Sequence, residues 1–492
     1  MATEDPGNAD AAAPVVEQRG RLFAAVCCAL CLAVIWATLS QDVAAKATSA
    51  VLFVIFCVLG VFSFSLRERA LTTIAVLVTA IAVWRLNADA LTPIMLDLSR
   101  GAYLAAFMML MSSLRDGAFN SRSVLEIGRY LTNQPPSRRY FALHIGGHFI
   151  GTLLNFSAVS LLGPLVLRGA KAAQTPDSPP ELFEIRLRRQ ISALSRGFSW
   201  FNIWAPTAIA QAVVLTTVPG SKAGIIAPLG LMIAFILLWV GWAEDRVTGH
   251  RARMRFARLG FHVARSKAPP FPYRSMLRFL SVAAGLVGLA LMLYLVSSIQ
   301  FVSAIMISAV PITAIWLTVQ SVTGTPKTAG YLREKLWKLV RIGVPSGSPE
   351  AATLGLAGYI GILGARQVDH ARAADLLLSF NMGPMVIYIA VSGFIPLASC
   401  IGLPPMMMVT FLGGLLVSIP QLGLDPSMLG LSLLVGWALN LTGSPFSATS
   451  LLLSRVVAIP GTLHAWRWNG LFTIMSWVVA AIVIFAASRV IV

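Results

Sequence analysis

Two stretches of the chain nearly repeat each other: LNFSAVSLLG, from Leu154 to Gly163, and SPFSATSLLL, from Ser444 to Leu453. Phe156-Ser157-Ala158-x-Ser160-Leu161-Leu162 returns as Phe446-Ser447-Ala448-x-Ser450-Leu451-Leu452, an offset of 290 residues. Gly146 with Gly436 and Thr152 with Thr442 keep that register. A hydroxyl-rich phrase repeated at one long interval points to two related halves.

Composition says what solvent those halves live in. Of 492 residues, 57% are hydrophobic and 12% charged, with mean hydropathy +0.77, whereas a soluble domain is about 25% charged. Such a chain cannot clothe itself in a hydrated surface, and in lipid its backbone groups must be satisfied within helices. The expected class is an all-α polytopic membrane protein. Residues 1–20 carry Glu4, Asp5, Asp10 and Glu17 without apolar periodicity, which predicts a disordered tail; no basic start marks a secretory leader. All five cysteines lie in apolar segments and read as packing residues.

The net charge of +18 is concentrated in loops. Arg246 to Arg278 holds nine Lys or Arg and Lys327 to Arg341 five, while none occurs between Arg372 and Arg455. Clustering of this kind marks the cytoplasmic face, so the charge reports orientation and not a nucleic-acid partner. It predicts a multi-pass protein of the cytoplasmic (inner) membrane with a cytoplasmic N-terminus.

Twelve apolar stretches approach the roughly 20 residues a helix needs to cross: 22–39, 48–65, 70–86, 94–114, 193–217, 223–243, 276–297, 299–319, 353–368, 384–400, 403–419 and 470–490. Residues 140–168 lie between two basic loops and must enter and leave on one face, which predicts a re-entrant hairpin. If 353–368 crosses, residues 427–456 form a second hairpin entering from the opposite face. The expected plan is a tail (1–20), a first half (21–244), a basic loop (245–275) and a second half (276–492), related as an inverted repeat. Secondary transporters are commonly built this way, with sites at mid-membrane.

Backbone that leaves the helix inside a membrane must line water or be buried in protein. At the first hairpin Thr152, Asn155, Ser157 and Ser160 supply oxygens; at the second, Asn440, Thr442, Ser444, Ser447, Thr449 and Ser450 do so. Pro206 and Thr207, in WFNIWAPTAIAQ, mark a helix break beside the first hairpin. These are the candidate substrate- and ion-binding residues; close helix packing by small residues is the competing reading.

Two polar-tipped hairpins in inverted halves resemble the ion-transporter superfamily, which includes divalent anion–sodium symporters and arsenite-permease-like carriers. The resemblance spans about residues 20–490 as architecture. The Ser-Asn-Thr signature of the symporters is absent; Asn155-Phe156-Ser157 and Thr442-Gly443-Ser444-Pro445 stand in its place. It implies elevator-like transport of a small solute, expected to be an organic anion, with Na+ or H+ as coupling ion and no other cofactor. Sodium is favoured because the tips offer neutral oxygens. A homodimer in the bilayer is compatible with it.

Asp97 and Arg100 can pair at i,i+3 within a span, and His144 and His148 share a helix face in HIGGH. Membrane-embedded ionisable groups are costly and commonly functional, so these four are candidate coupling residues. No metal site is expected, since HIGGH lacks the glutamate of the zinc-protease pattern. No P-loop, Rossmann or nucleophile-elbow pattern occurs in context. An intramembrane enzyme acting on a lipid-linked substrate, centred on His144, His148, Asp97 and Arg100, is the second reading, and a structural or assembly subunit the third.

Overall fold

The computed structural model describes residues 7–86, 91–119, 121–174, 179–258, 268–322, 329–380 and 382–491. In chain order its helices are α1 (Gly7–Ser40), α2 (Val43–Gly60), α3 (Leu66–Leu86), α4 (Leu91–Phe119), α5 (Arg122–Thr132), α6 (Pro136–Leu154), α7 (Ser157–Ala172), α8 (Pro180–Trp200), α9 (Ile209–Thr217) and α10 (Ala223–Arg258). There follow α11 (Tyr273–Val296), α12 (Phe301–Val322), α13 (Ala329–Lys338), α14 (Ser348–Gln367), α15 (His370–Ser379), α16 (Pro384–Cys400), α17 (Pro405–Val417), α18 (Pro426–Gly443), α19 (Ala448–Val457) and α20 (Gly470–Ile491). No strand occurs among the described residues. The chain is an all-α polytopic membrane protein. Of the acidic N-terminal stretch, residues 1–6 lie outside the described residues, and α1 begins at Gly7.

Eight described helices are long and apolar enough to cross a membrane, or up to nine if α15 and α16 count as one span. This corrects the twelve spans expected from sequence, and the differences have physical causes. Residues 193–217 are not one helix: α8 stops at Trp200 and α9 starts at Ile209, because Pro206 withdraws an amide donor between them. The stretches 384–400 and 403–419 become α16 and α17, of 17 and 13 residues, short of the roughly 20 a crossing needs. The turn at 401–404 that joins them includes Gly402 at φ 93, a conformation open to glycine. Residues 427–456, expected to be a hairpin, instead meet the length and hydropathy of one 32-residue span, Pro426–Val457, broken at 444–447. The stretch 353–368 belongs to the 20-residue helix α14.

The chain divides into two compact units, with boundaries inside α4, α11 and α14. The first unit holds residues 1–117 and 285–363. Within it α4 and α14 cross where two glycines meet: a Cβ on Gly355 would lie 2.9 Å from the Gly101 carbonyl oxygen. Tyr103 and Ser303 share a hydrogen bond of 3.0 Å, as do Thr79 and Tyr359 at 2.6 Å.

The second unit holds residues 118–284 and 364–492. Helices α6 and α7 pack on each other and both pack on α8; α16 and α17 pack on each other and both pack on α18. Helix α7 also meets α19, and α17 meets α9. The α6–α8 crossing leaves no room for a side chain at Gly197, where a Cβ would lie 2.0 Å from the His144 carbonyl oxygen.

Candidate functional site

Four interruptions of helical backbone lie in the second unit: 155–156 between α6 and α7, 201–208 between α8 and α9, 401–404 between α16 and α17, and 444–447 between α18 and α19. Each frees main-chain groups that a continuous helix would pair. Polar side chains collect around them because those groups need partners in a medium that offers none.

At the first interruption Asn155 turns the chain with φ 52 and ψ −134, a geometry that glycine tolerates best. Its amide N–H donates to the Gly151 carbonyl at 2.8 Å. The side chain is buried, and neither end of its amide has a hydrogen-bond partner. Ser157 is buried at the start of α7. Thr152, by contrast, returns its hydroxyl to the Phe149 carbonyl at 2.7 Å, and Ser160 is half-buried along α7.

Around 201–208 the backbone folds on itself, with Ala205 N–H donating to the Phe201 carbonyl and Ala208 N–H to the Ala205 carbonyl. Gln211 donates its side-chain amide to the Ile203 carbonyl at 2.7 Å, and Asn202 donates to the carbonyls of Phe198 and Ser199. Pro206 is half-buried, and the buried Thr207 hydroxyl has no partner. The Trp204 indole donates to His148 Nε2 at 2.7 Å, and His148 Nδ1 lies 3.1 Å from the Gly197 carbonyl. Since a carbonyl can only accept, His148 is the Nδ1–H tautomer with both nitrogens engaged. The His144 and His148 rings stack with centroids 6.4 Å apart, and His144 Nδ1 meets the Tyr140 hydroxyl at 3.3 Å.

At 444–447 the hydroxyls form a connected set. Ser444 donates to the Ser399 carbonyl at 2.8 Å, which ties this break to the end of α16. Ser447 caps α19 by accepting from the Ser450 N–H. Ser450 donates to the Ser444 carbonyl at 2.8 Å and contacts His464 Nδ1 at 2.9 Å. With the Ser450 proton committed to a carbonyl, His464 Nδ1 carries the hydrogen and Nε2 is a bare acceptor; that atom is buried without a partner. Thr442 accepts from the Thr473 hydroxyl at 3.0 Å. Asn440 is fully buried with neither amide atom paired, and the buried Thr449 hydroxyl is also unpaired.

Arg196, which the sequence did not single out, is buried. Its guanidinium pairs with Glu244 at 2.7 Å, donates to Asn469 Oδ1 at 2.9 Å and to the Trp468 carbonyl at 3.3 Å, and lies 4.2 Å from the Phe472 ring centroid. Asn202, Gln211, His464 and the 401–404 turn were likewise not singled out. Asn202 and Gln211 flank Pro206, and that flanking was the available signal; nothing local distinguishes His464 or Arg196. Asp97 and Arg100 pair at 3.3 Å within the first unit, Asp97 buried and Arg100 about half exposed. The twelve candidate binding residues and both histidines fall in the second unit.

The resulting chemistry is that of neutral oxygens, amides and one imidazole acceptor held in a desolvated interior. Groups of this kind can ligate a cation or accept hydrogen bonds from a solute.

No known family's sequence profile matches the chain, and no curated protein matches it. Among solved structures it is similar to the YdaH transporter of Alcanivorax borkumensis, whose crystal structure is described as revealing an unusual topology. The TM-score is 0.57 at 14% identity, covering 85% of this chain and 97% of that one. It also overlaps MtrF of Neisseria gonorrhoeae, described as illuminating a class of antimetabolite efflux pumps, with a TM-score of 0.48 at 12% identity, over 85% of this chain and 94% of that one. The first match establishes a shared fold, so the chain is a polytopic membrane protein built like a transporter of known structure. It does not by itself put the chain in the ion-transporter superfamily.

Proposed function

We propose that this protein is a secondary active transporter of the cytoplasmic membrane. It moves a small solute, in our reading an organic anion, using a sodium or proton gradient. The observation that carries the proposal is the pair of buried amides, Asn155 and Asn440, left without partners beside two interruptions of the membrane helices. An unpaired buried amide costs on the order of 1–3 kcal/mol, and a ligand that comes and goes is a reason to keep two. The fold shared with the YdaH transporter supports the same class.

The packing supports an inverted repeat in a new register, with each helix in the stretch α4–α10 answered by the helix ten places later. Thus α6 and α7 on α8 match α16 and α17 on α18, and the α7–α19 contact matches α17–α9. In this reading the turns at 155–156 and 401–404 are the hairpin tips, and the breaks at 201–208 and 444–447 are the discontinuous helices. Asn155, Thr207, Asn440 and Thr449 supply neutral oxygens to a coupling ion, which favours sodium. The second unit is then the part that moves in an elevator-like cycle.

The test is charge movement in proteoliposomes, screened with mono-, di- and tricarboxylates under imposed sodium or proton gradients. The proposal expects a solute-dependent current that one gradient drives and that Asn155→Gly lowers by roughly tenfold or more. Solute accumulation without any gradient dependence, or none under every gradient, overturns it.

A further inference from the structure

Away from the helix breaks, the charged end of α10 meets α6 and α8 around a cavity of about 220 Å³. Its walls include Tyr140, Arg189, Trp242, Arg246, His250 and Arg253. The single carboxylate among its lining residues, Asp245, is already held by Arg189 through two hydrogen bonds of 2.7 Å. That pairing neutralises one arginine and leaves Arg246 and Arg253 to set the sign of the cavity. The Arg246 guanidinium lies 5.2 Å from the Trp242 ring centroid, a cation–π placement in the cavity wall.

What adjoins this positive cavity is apolar. Along the same helix Phe235 and Trp239 are 60% and 47% exposed. Phe141 packs against both Trp239 and Trp242, with ring centroids 5.4 and 5.7 Å apart. Helix α10 is one of the candidate membrane spans. An aromatic stripe ending at paired arginines is suited to a ligand with a hydrocarbon body and an anionic head, because tryptophan and arginine favour the membrane interface. A soluble anion would use the arginines and gain nothing from the stripe.

We infer that this cavity binds the phosphate of an anionic phospholipid, with Arg246 and Arg253 on the phosphate and the acyl chains along Phe235, Trp239 and Phe141. Bound there, the lipid bridges α6, α8 and α10 within the second unit. The inference is independent of what the protein transports.

The experiment is native mass spectrometry of the delipidated full-length protein in neutral detergent, titrated with phosphatidylglycerol or phosphatidylcholine. The expected result is selective retention of phosphatidylglycerol. The Arg246→Ala/Arg253→Ala double variant weakens that retention by about tenfold or more, while Arg251→Ala, on the same helix but outside the cavity, leaves it unchanged. Trp242→Ala, which keeps both charges, also weakens it. Equal retention of the two lipids, or undiminished phosphatidylglycerol binding in a double variant that elutes as wild type, overturns the inference. Displacement of phosphatidylglycerol by excess inorganic phosphate also overturns it and marks a soluble-anion site.

Discussion

Asn155 has two roles that substitution can separate. Its backbone sits at positive φ, which costs a non-glycine residue on the order of 1–3 kcal/mol, and its side-chain amide is buried without a partner. Asn155→Gly relieves the backbone and deletes the amide, so stability stays within about 1 kcal/mol of wild type while transport falls by roughly tenfold or more. Asn155→Ala loses both the amide and the favourable turn. Thermal melting in detergent beside proteoliposome flux distinguishes the two. If Asn155→Gly melts as wild type and transports as wild type, the amide is not a ligand. Gly197 poses a purely steric question, since a Cβ there would lie 2.0 Å from the His144 carbonyl oxygen. Gly197→Ala should force α6 and α8 apart and cost about 1–3 kcal/mol, read as a lowered melting temperature.

At the scale of elements, α18 and α19 show what a polar interruption in an apolar run does not disclose. A hairpin and a broken span both give about thirty apolar residues with small and hydroxyl-bearing residues in the middle, and only tertiary packing decides between them. The long apolar helices were therefore legible from hydropathy, while the short pair α16–α17 passed for two spans. The repeated phrase was legible too. It marks the starts of α7 and α19, which pack together with Gly163 against Val457, Val456 and Leu453. In the proposed register the two copies open α7 and α19, which do not correspond. Of the candidate site, Asn155, Thr207, Asn440 and Thr449 were visible as polar residues in apolar context. Asn202 and Gln211 were legible only as neighbours of Pro206, and His464 was not, because its importance comes from Ser450, fourteen residues away. Ser447 is the N-cap of α19. Ser447→Ala should cost about 1 kcal/mol, whereas Ser447→Thr or Ser447→Asn restores most of it; a loss that neither rescues would place Ser447 in ligand binding instead.

For the whole molecule, the division into two units gives the proposed transport cycle its parts. The second unit carries the four interruptions described above, while α4 and α14 of the first unit cross at Gly101 and Gly355 as continuous helices. If the inverted repeat is correct, the turns at 155–156 and 401–404 face opposite sides of the membrane. The most direct measurement is side-specific thiol labelling of Phe156→Cys and Leu403→Cys in an otherwise cysteine-free protein reconstituted in liposomes. The account predicts that each turn labels preferentially from a different side, and that an imposed ion gradient with a transported solute changes both rates. Labelling of both positions from the same side, or rates indifferent to gradient and solute, would contradict it.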